Sequence, residues 1–154
     1  MLAPTRVATL TALRRGLPAE AVTSHEHQLV GGELNHAIAN AVVRGHSRFV
    51  GRGPVKAHAF YRHNIIVVVM RDALTQAEQS LVADSQQDAV FELRRQLHQV
   101  MHGPLVRDVE AITGHRVEAS MSATHVDPDL AAELFVLDHP LPTAQPAGGL
   151  DAAG

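Results

Sequence analysis

Apolar residues recur at every third or fourth position in some stretches and at every second position in others. Leu34, Ile38, Val42, Gly45 and Phe49 share one helical face and predict a helix from near Gly32 to Val50. Thr23 and Glu26 have capping-box spacing and would allow an earlier start. Gly31 and Gly32 argue against it, since each costs about 1 kcal/mol inside a helix. Gly51 suits a left-handed C-terminal residue, and Pro54 follows where a helix has ended. From Val55 to Arg62 the period falls to two. Val55, Ala57, Ala59 and Tyr61 lie on one side, and Lys56, His58, Phe60 and Arg62 on the other, as in a half-buried strand. His63-Asn64 makes a tight turn into Ile65–Met70, an unbroken apolar run expected of a central strand, and the two strands form a hairpin.

Thr75 and Glu78 start a second helix by capping-box spacing, with Ala77 and Leu81 inward. A break is predicted near Asp84-Ser85, where Ser85 and Asp88 offer a new start signal. Val90, Leu93, Leu97, Val100 and Met101 then form a long apolar stripe. Pro104 has no N–H for the carbonyl of residue 100 and its ring crowds that carbonyl, so a kink or restart is predicted there. The stripe resumes at Leu105, Val109 and Ile112 and ends at Gly114. His115 to Thr124 alternates with Val117, Ala119, Met121 and Ala123 inward. A turn over His125–Leu130 leads to a last strand, Ala131–Leu137. The order α-β-β-α-β-β predicts an α+β domain: a mostly antiparallel four-stranded sheet with helices packed on one face.

Composition changes this picture little. A chain of 154 residues suggests one domain, with 45% hydrophobic and 19% charged residues as in an ordinary soluble protein. Residues 1–30 read as a poorly ordered extension, 31–138 as the domain, and 139–154, rich in Pro, Ala and Gly, as a disordered tail. The N-terminal stretch lacks the cationic leader and long apolar core of a signal peptide, and no apolar run approaches the ~20 residues of a membrane span. A cytoplasmic protein is expected. A net charge of −3 makes wholesale binding to nucleic acid an unfavoured reading. The absence of cysteine excludes disulfides and thiolate sites, and the 11 histidines form no tract.

Three stretches could carry chemistry. In Gly51-Arg52-Gly53-Pro54, Arg52 could clasp an anion beside the glycine N–H groups, with Lys56 and His58 completing the site. The tetrad could equally be a helix stop and a strand entry, and both readings stand open. The face Lys56, His58, Phe60, Arg62 could stack bases and contact phosphates, or simply be a solvated face. His125, Asp127 and Asp129 alternate in one turn and could hold a divalent metal, although Asp-Pro-Asp also suits a turn. Ser80, Ser85, Ser120 and Ser122 lack a nucleophile elbow, and Arg94, Arg95 and Arg107 read as a solvated helix face. No catalytic constellation and no cofactor motif stand out, so a non-enzymatic role is expected.

Taken in order, these motifs resemble a family. Gly51-Arg52-Gly53-Pro54, Val67-Val68-Val69, Leu74-Thr75-x-Ala77-Glu78-x-x-Leu81, Thr113-Gly114 and His125-x-Asp127-Pro128-Asp129-x-Ala131-x-Glu133-x-Phe135-Val136-Leu137 are similar in order and spacing to the bacterial MpsC family, a component of a Na+-translocating, membrane-potential-generating system. The resemblance covers about residues 31 to 138. Gly103-Pro104 departs from it, where the family pattern reads as continuous helix. The resemblance implies an accessory protein that meets an ion or inorganic-carbon transporter at the membrane, and it carries over no catalytic residues. A homodimer through a free sheet edge is also expected, because two hairpins leave edges.

Overall fold

The computed structural model describes residues 29–142, and most of the expected extension and tail lie outside them. Helix α1 (Gly31–Val50) leads into strands β1 (Lys56–Arg62) and β2 (Ile65–Arg71). Helices α2 (Gln76–Ala83) and α3 (Gln87–Thr113) follow, then β3 (Val117–His125) and β4 (Leu130–Leu137). The strands form one antiparallel sheet in the order β1-β2-β4-β3. The α+β architecture predicted from the pattern is the one observed. The β2–β4 pairing at its centre joins the two hairpins, and β1 and β3 are the edges.

Helices α1 and α3 cover one face, α1 over β1 and α3 over β3, and they touch each other. Leu34, Ile38 and Val42 of α1 meet Ile66, Val68 and Met70 of β2, Phe135 and Leu137 of β4, and Met101, Leu105 and Val109 of α3, all buried. At Gly45 a Cβ would stand 2.5 Å from Leu105 Cδ2, so glycine permits the close approach of the two helices. Gly51 ends α1 in the left-handed conformation (φ 84°), and its N–H bonds the Ser47 carbonyl. The capping box at Thr75 and Glu78 forms as predicted. Beyond β4, Leu141 is 4% exposed and its N–H bonds the His63 carbonyl, so the first residues of the expected tail belong to the packed domain.

Three expectations need correction. Helix α3 runs through Pro104 without a restart, as the family pattern implies. Its inward face is Val90, Arg94, Met101, Leu105 and Val109, whereas Leu93 and Val100 are 42% and 62% exposed. Arg94 occupies a core position because a carboxylate meets it there (below). In β3, a register shift between Val117 and Ala119 inverts the phase of the strand. Val117 still packs on the core. Beyond the shift, Ser122 faces the helices, and Ala119, Met121 and Ala123 lie on the opposite, helix-free face.

Candidate functional site

The inverted phase of β3 sets a polar cluster beneath the helices. Ser122 pairs with Glu133 across the β3–β4 ladder, and Glu133 is 1% exposed. The Ser122 hydroxyl donates to Glu133 Oε1 at 3.1 Å, and Nε2 of His46, from α1, lies 3.1 Å from the same oxygen. Nδ1 of His98, from α3, lies 3.7 Å from Glu133 Oε2. Glu133 Oε2, His46 Nδ1, His98 Nδ1 and Ser120 Oγ are buried without hydrogen-bond partners. Burial of such groups is unfavourable, by about 1–3 kcal/mol for each unsatisfied group. Beside this cluster lies a cleft of about 170 Å³ lined by Phe91, Arg94, Arg95, His98, Ser122 and Thr124. At its rim two Arg95 hydrogen bonds and one from Gln96 draw the Glu92 carboxyl down to about 2.

Sequence reasoning met Glu133 in the family motif but could not pair it with a partner from spacing alone. Its signal was present: Glu133 shares the parity of Ala131, Phe135 and Leu137, all of which point into the core.

The sequence motifs come together elsewhere, on the loop between β2 and α2. Arg52 Nη1 donates to the Leu74 carbonyl at 2.7 Å. Arg94 Nη2 donates to the Ala73 carbonyl at 2.7 Å, and the Ala73 and Leu74 N–H groups donate to the Asp129 carboxylate at 3.0 Å. Arg94 also grips Glu78 in a buried two-point ion pair, through Nε to Oε1 and Nη2 to Oε2. Burial alone would raise the Glu78 carboxyl. The Arg94 bonds, the Thr75 N–H and hydroxyl, and the Arg94 charge outweigh it and hold Glu78 below its ordinary value. Thus the Gly-Arg-Gly-Pro tetrad, the Leu74–Glu78 cap and the Asp129 turn tie one loop from several sides.

In the structure Gly51 caps α1, and Arg52 Nη1 clasps a main-chain carbonyl. Lys56 and His58 stand on the exposed side of β1 and do not share that bond. His125 Nδ1 contacts the Pro128 carbonyl at 2.8 Å, Asp127 is exposed, and Asp129 serves the loop. The structure does not bring His125, Asp127 and Asp129 to one focus.

Among the described residues no helix covers the second face of the sheet, and that face is largely apolar. Row by row across β1, β2, β4 and β3 it carries Phe60, Val67, Leu134 and Met121, then Arg62, Ile65, Val136 and Ala119, then His58, Val69, Ala132 and Ala123. Phe60, Ile65 and Met121 are 58%, 45% and 56% exposed. A shallow depression of about 250 Å³ lies at the hairpin end, between Phe60, Tyr61, Arg62, His63, Ile65 and Val67. Lys56, His58, Arg62 and Arg71 place cationic or basic groups along the β1 side of this face.

Among the described residues this is an α+β domain with one sheet face roofed by helices and the other left uncovered and largely apolar. Residues 31–139 match the model of the family described as the Na+-translocating membrane potential-generating system (MpsC), and the chain belongs to that family. Membership connects it to a Na+-translocating, membrane-potential-generating system. No curated protein and no solved structure is significantly similar to it. Among the described residues no helix is long and apolar enough to cross a membrane.

Proposed function

We propose that this protein is an accessory component of the membrane-potential-generating system, that it acts from the cytoplasmic side, and that it docks on a transporter subunit instead of catalysing a reaction. The observation that carries the reading is the bare sheet face. A solvated antiparallel sheet normally alternates apolar-in with polar-out. Here Phe60, Ile65, Val67, Leu134, Val136 and Met121 stand together on the outer side. A contiguous apolar surface with a polar rim is what a partner covers. The basic β1 rim favours a partner segment that is apolar at its centre and acidic at its margin. Base stacking is less well served, because Phe60 is the aromatic on the face and its neighbours are aliphatic.

Pull-down from mildly solubilised membranes tests this. The wild-type chain is expected to retain a membrane protein, and Phe60→Glu and Met121→Glu to release it while folding normally. Recovery of no membrane protein, or equal recovery by both variants, would sink the docking reading. So would binding to anionic lipid vesicles with no protein retained. The expected edge-paired homodimer belongs to the same proposal, and a monomeric mass by light scattering would refute it.

A further inference from the structure

The geometry points to a divalent transition-metal site of the zinc class formed by His115, Asp138 and His139, at the junction of the α3–β3 turn with the end of β4. Among the described residues, these three form the group whose ligand atoms converge, all within 4.8 Å of one another. His139 Nδ1 lies 3.2 Å and His115 Nδ1 3.8 Å from Asp138 Oδ1. The two imidazole rings stand 6.0 Å apart, centroid to centroid, tilted by 33°. A tetrahedral ion bound at about 2.0–2.2 Å keeps neighbouring ligand atoms roughly 3.3 Å apart. The His139–Asp138 pair already stands near that spacing, and a bound ion would draw the His115 ring closer.

The chain holds these donors in place. The main chain of Arg116 and Asp138 is paired, with Asp138 N–H donating to the Arg116 carbonyl at 2.9 Å. The Arg116 N–H donates to Asp138 Oδ1 at 3.1 Å, which orients the carboxylate as an outer-shell partner orients a metal ligand. On the other side Leu141, buried and bonded to His63, anchors the segment that carries His139. His115 is fixed by its N–H, which donates to Thr113 Oγ1 at 3.2 Å, just past the left-handed Gly114.

The donor set decides the class of ion. Two imidazoles and one carboxylate suit zinc, nickel or copper, whereas hard cations such as magnesium and calcium take oxygen ligands. Three protein donors leave a fourth position open, as in exchangeable zinc sites. The His125-to-Asp129 turn offers no such convergence, although its residue types looked equally suitable in sequence. An ion here would clamp the start of β3 to the segment after β4, near the sheet edge.

The test is calorimetric titration of the untagged full chain with Zn2+ in 150 mM Na+, with Co2+ as a spectroscopic probe. One equivalent is expected to bind, and Co2+ is expected to show the visible absorption of a tetrahedral centre. His115→Ala and His139→Ala should each weaken Zn2+ binding at least tenfold with unchanged circular dichroism, while His125→Ala leaves it intact. His139 is an exposed side chain, so its variant is expected to fold even if Asp138→Asn does not. Several weak, non-saturating sites would overturn the proposal. So would affinity unchanged in both histidine variants, loss of affinity in His125→Ala instead, or displacement of the ion by millimolar Mg2+.

Discussion

Each face of the one sheet carries a group of residues unusual for its side, polar beneath the helices and apolar on the uncovered side. The covered face includes a buried carboxylate, two histidines and a serine, and the guanidinium of Arg94 lies in the same layer. The bare face carries Phe60, Ile65, Val67, Leu134 and Met121. Polar groups inside are tolerated where they bond one another, and apolar groups outside are tolerated where something else covers them. The difference separates two kinds of importance. Substitutions under the helices should alter stability and leave any partner's contact surface intact, and substitutions on the bare face should do the reverse.

The sharpest test is Arg94→Ala. It strands Glu78 without its counter-charge and releases the Ala73 carbonyl, and loss of one member of a buried pair costs about 3–5 kcal/mol. Chemical denaturation should show a loss of that size. A shift below about 1 kcal/mol would mean that the covered face is not held by its ion pair.

Acid should probe the same pair. The folded Glu78 carboxyl lies below its ordinary value of 4.5. Its contribution to stability is therefore complete above about pH 4.5 and is lost as the pH falls through the depressed folded value. Denaturant midpoints measured from pH 7 to pH 3 should fall less steeply in Glu78→Gln than in the wild type. Parallel curves would show that Glu78 is not the linked group.

A smaller effect is expected where backbone geometry alone is at stake. Gly51→Ala puts a Cβ on a residue at φ 84° and should cost about 1–2 kcal/mol, read as a lower melting temperature. The smallest effect on folding belongs to the bare face. Met121→Ser should leave stability within about 0.5 kcal/mol, as surface changes do, yet reduce partner recovery in the pull-down. A large loss of stability in that variant would mean that the face is structural, which would erase the contrast between the two sides.

Much of the fold was legible along the chain. The α1 stripe, the Gly51 stop, the β1–β2 hairpin, the Thr75 cap and the break after Ala83 follow from local chemistry. The β3 phase was not legible, because a single shifted residue exchanges the two sides of a strand and its cause lies in the pairing with β4. Arg94 was misplaced for a similar reason: a cation at a core position makes sense when a carboxylate from another helix meets it. The motif residues Arg52 and Asp129 looked like separate candidates for chemistry. Their shared target, the main chain of Ala73 and Leu74, is visible in three dimensions.

By itself, then, the order of residues determined the kinds of element, their succession and the paired hairpins, since periodicity and caps act over a few residues. Tertiary structure decided which side of β3 faces the helices, which charges lie buried, and that His115 meets Asp138 and His139. Those outcomes depend on contacts between residues far apart in the chain, and no local pattern encodes the distance between them.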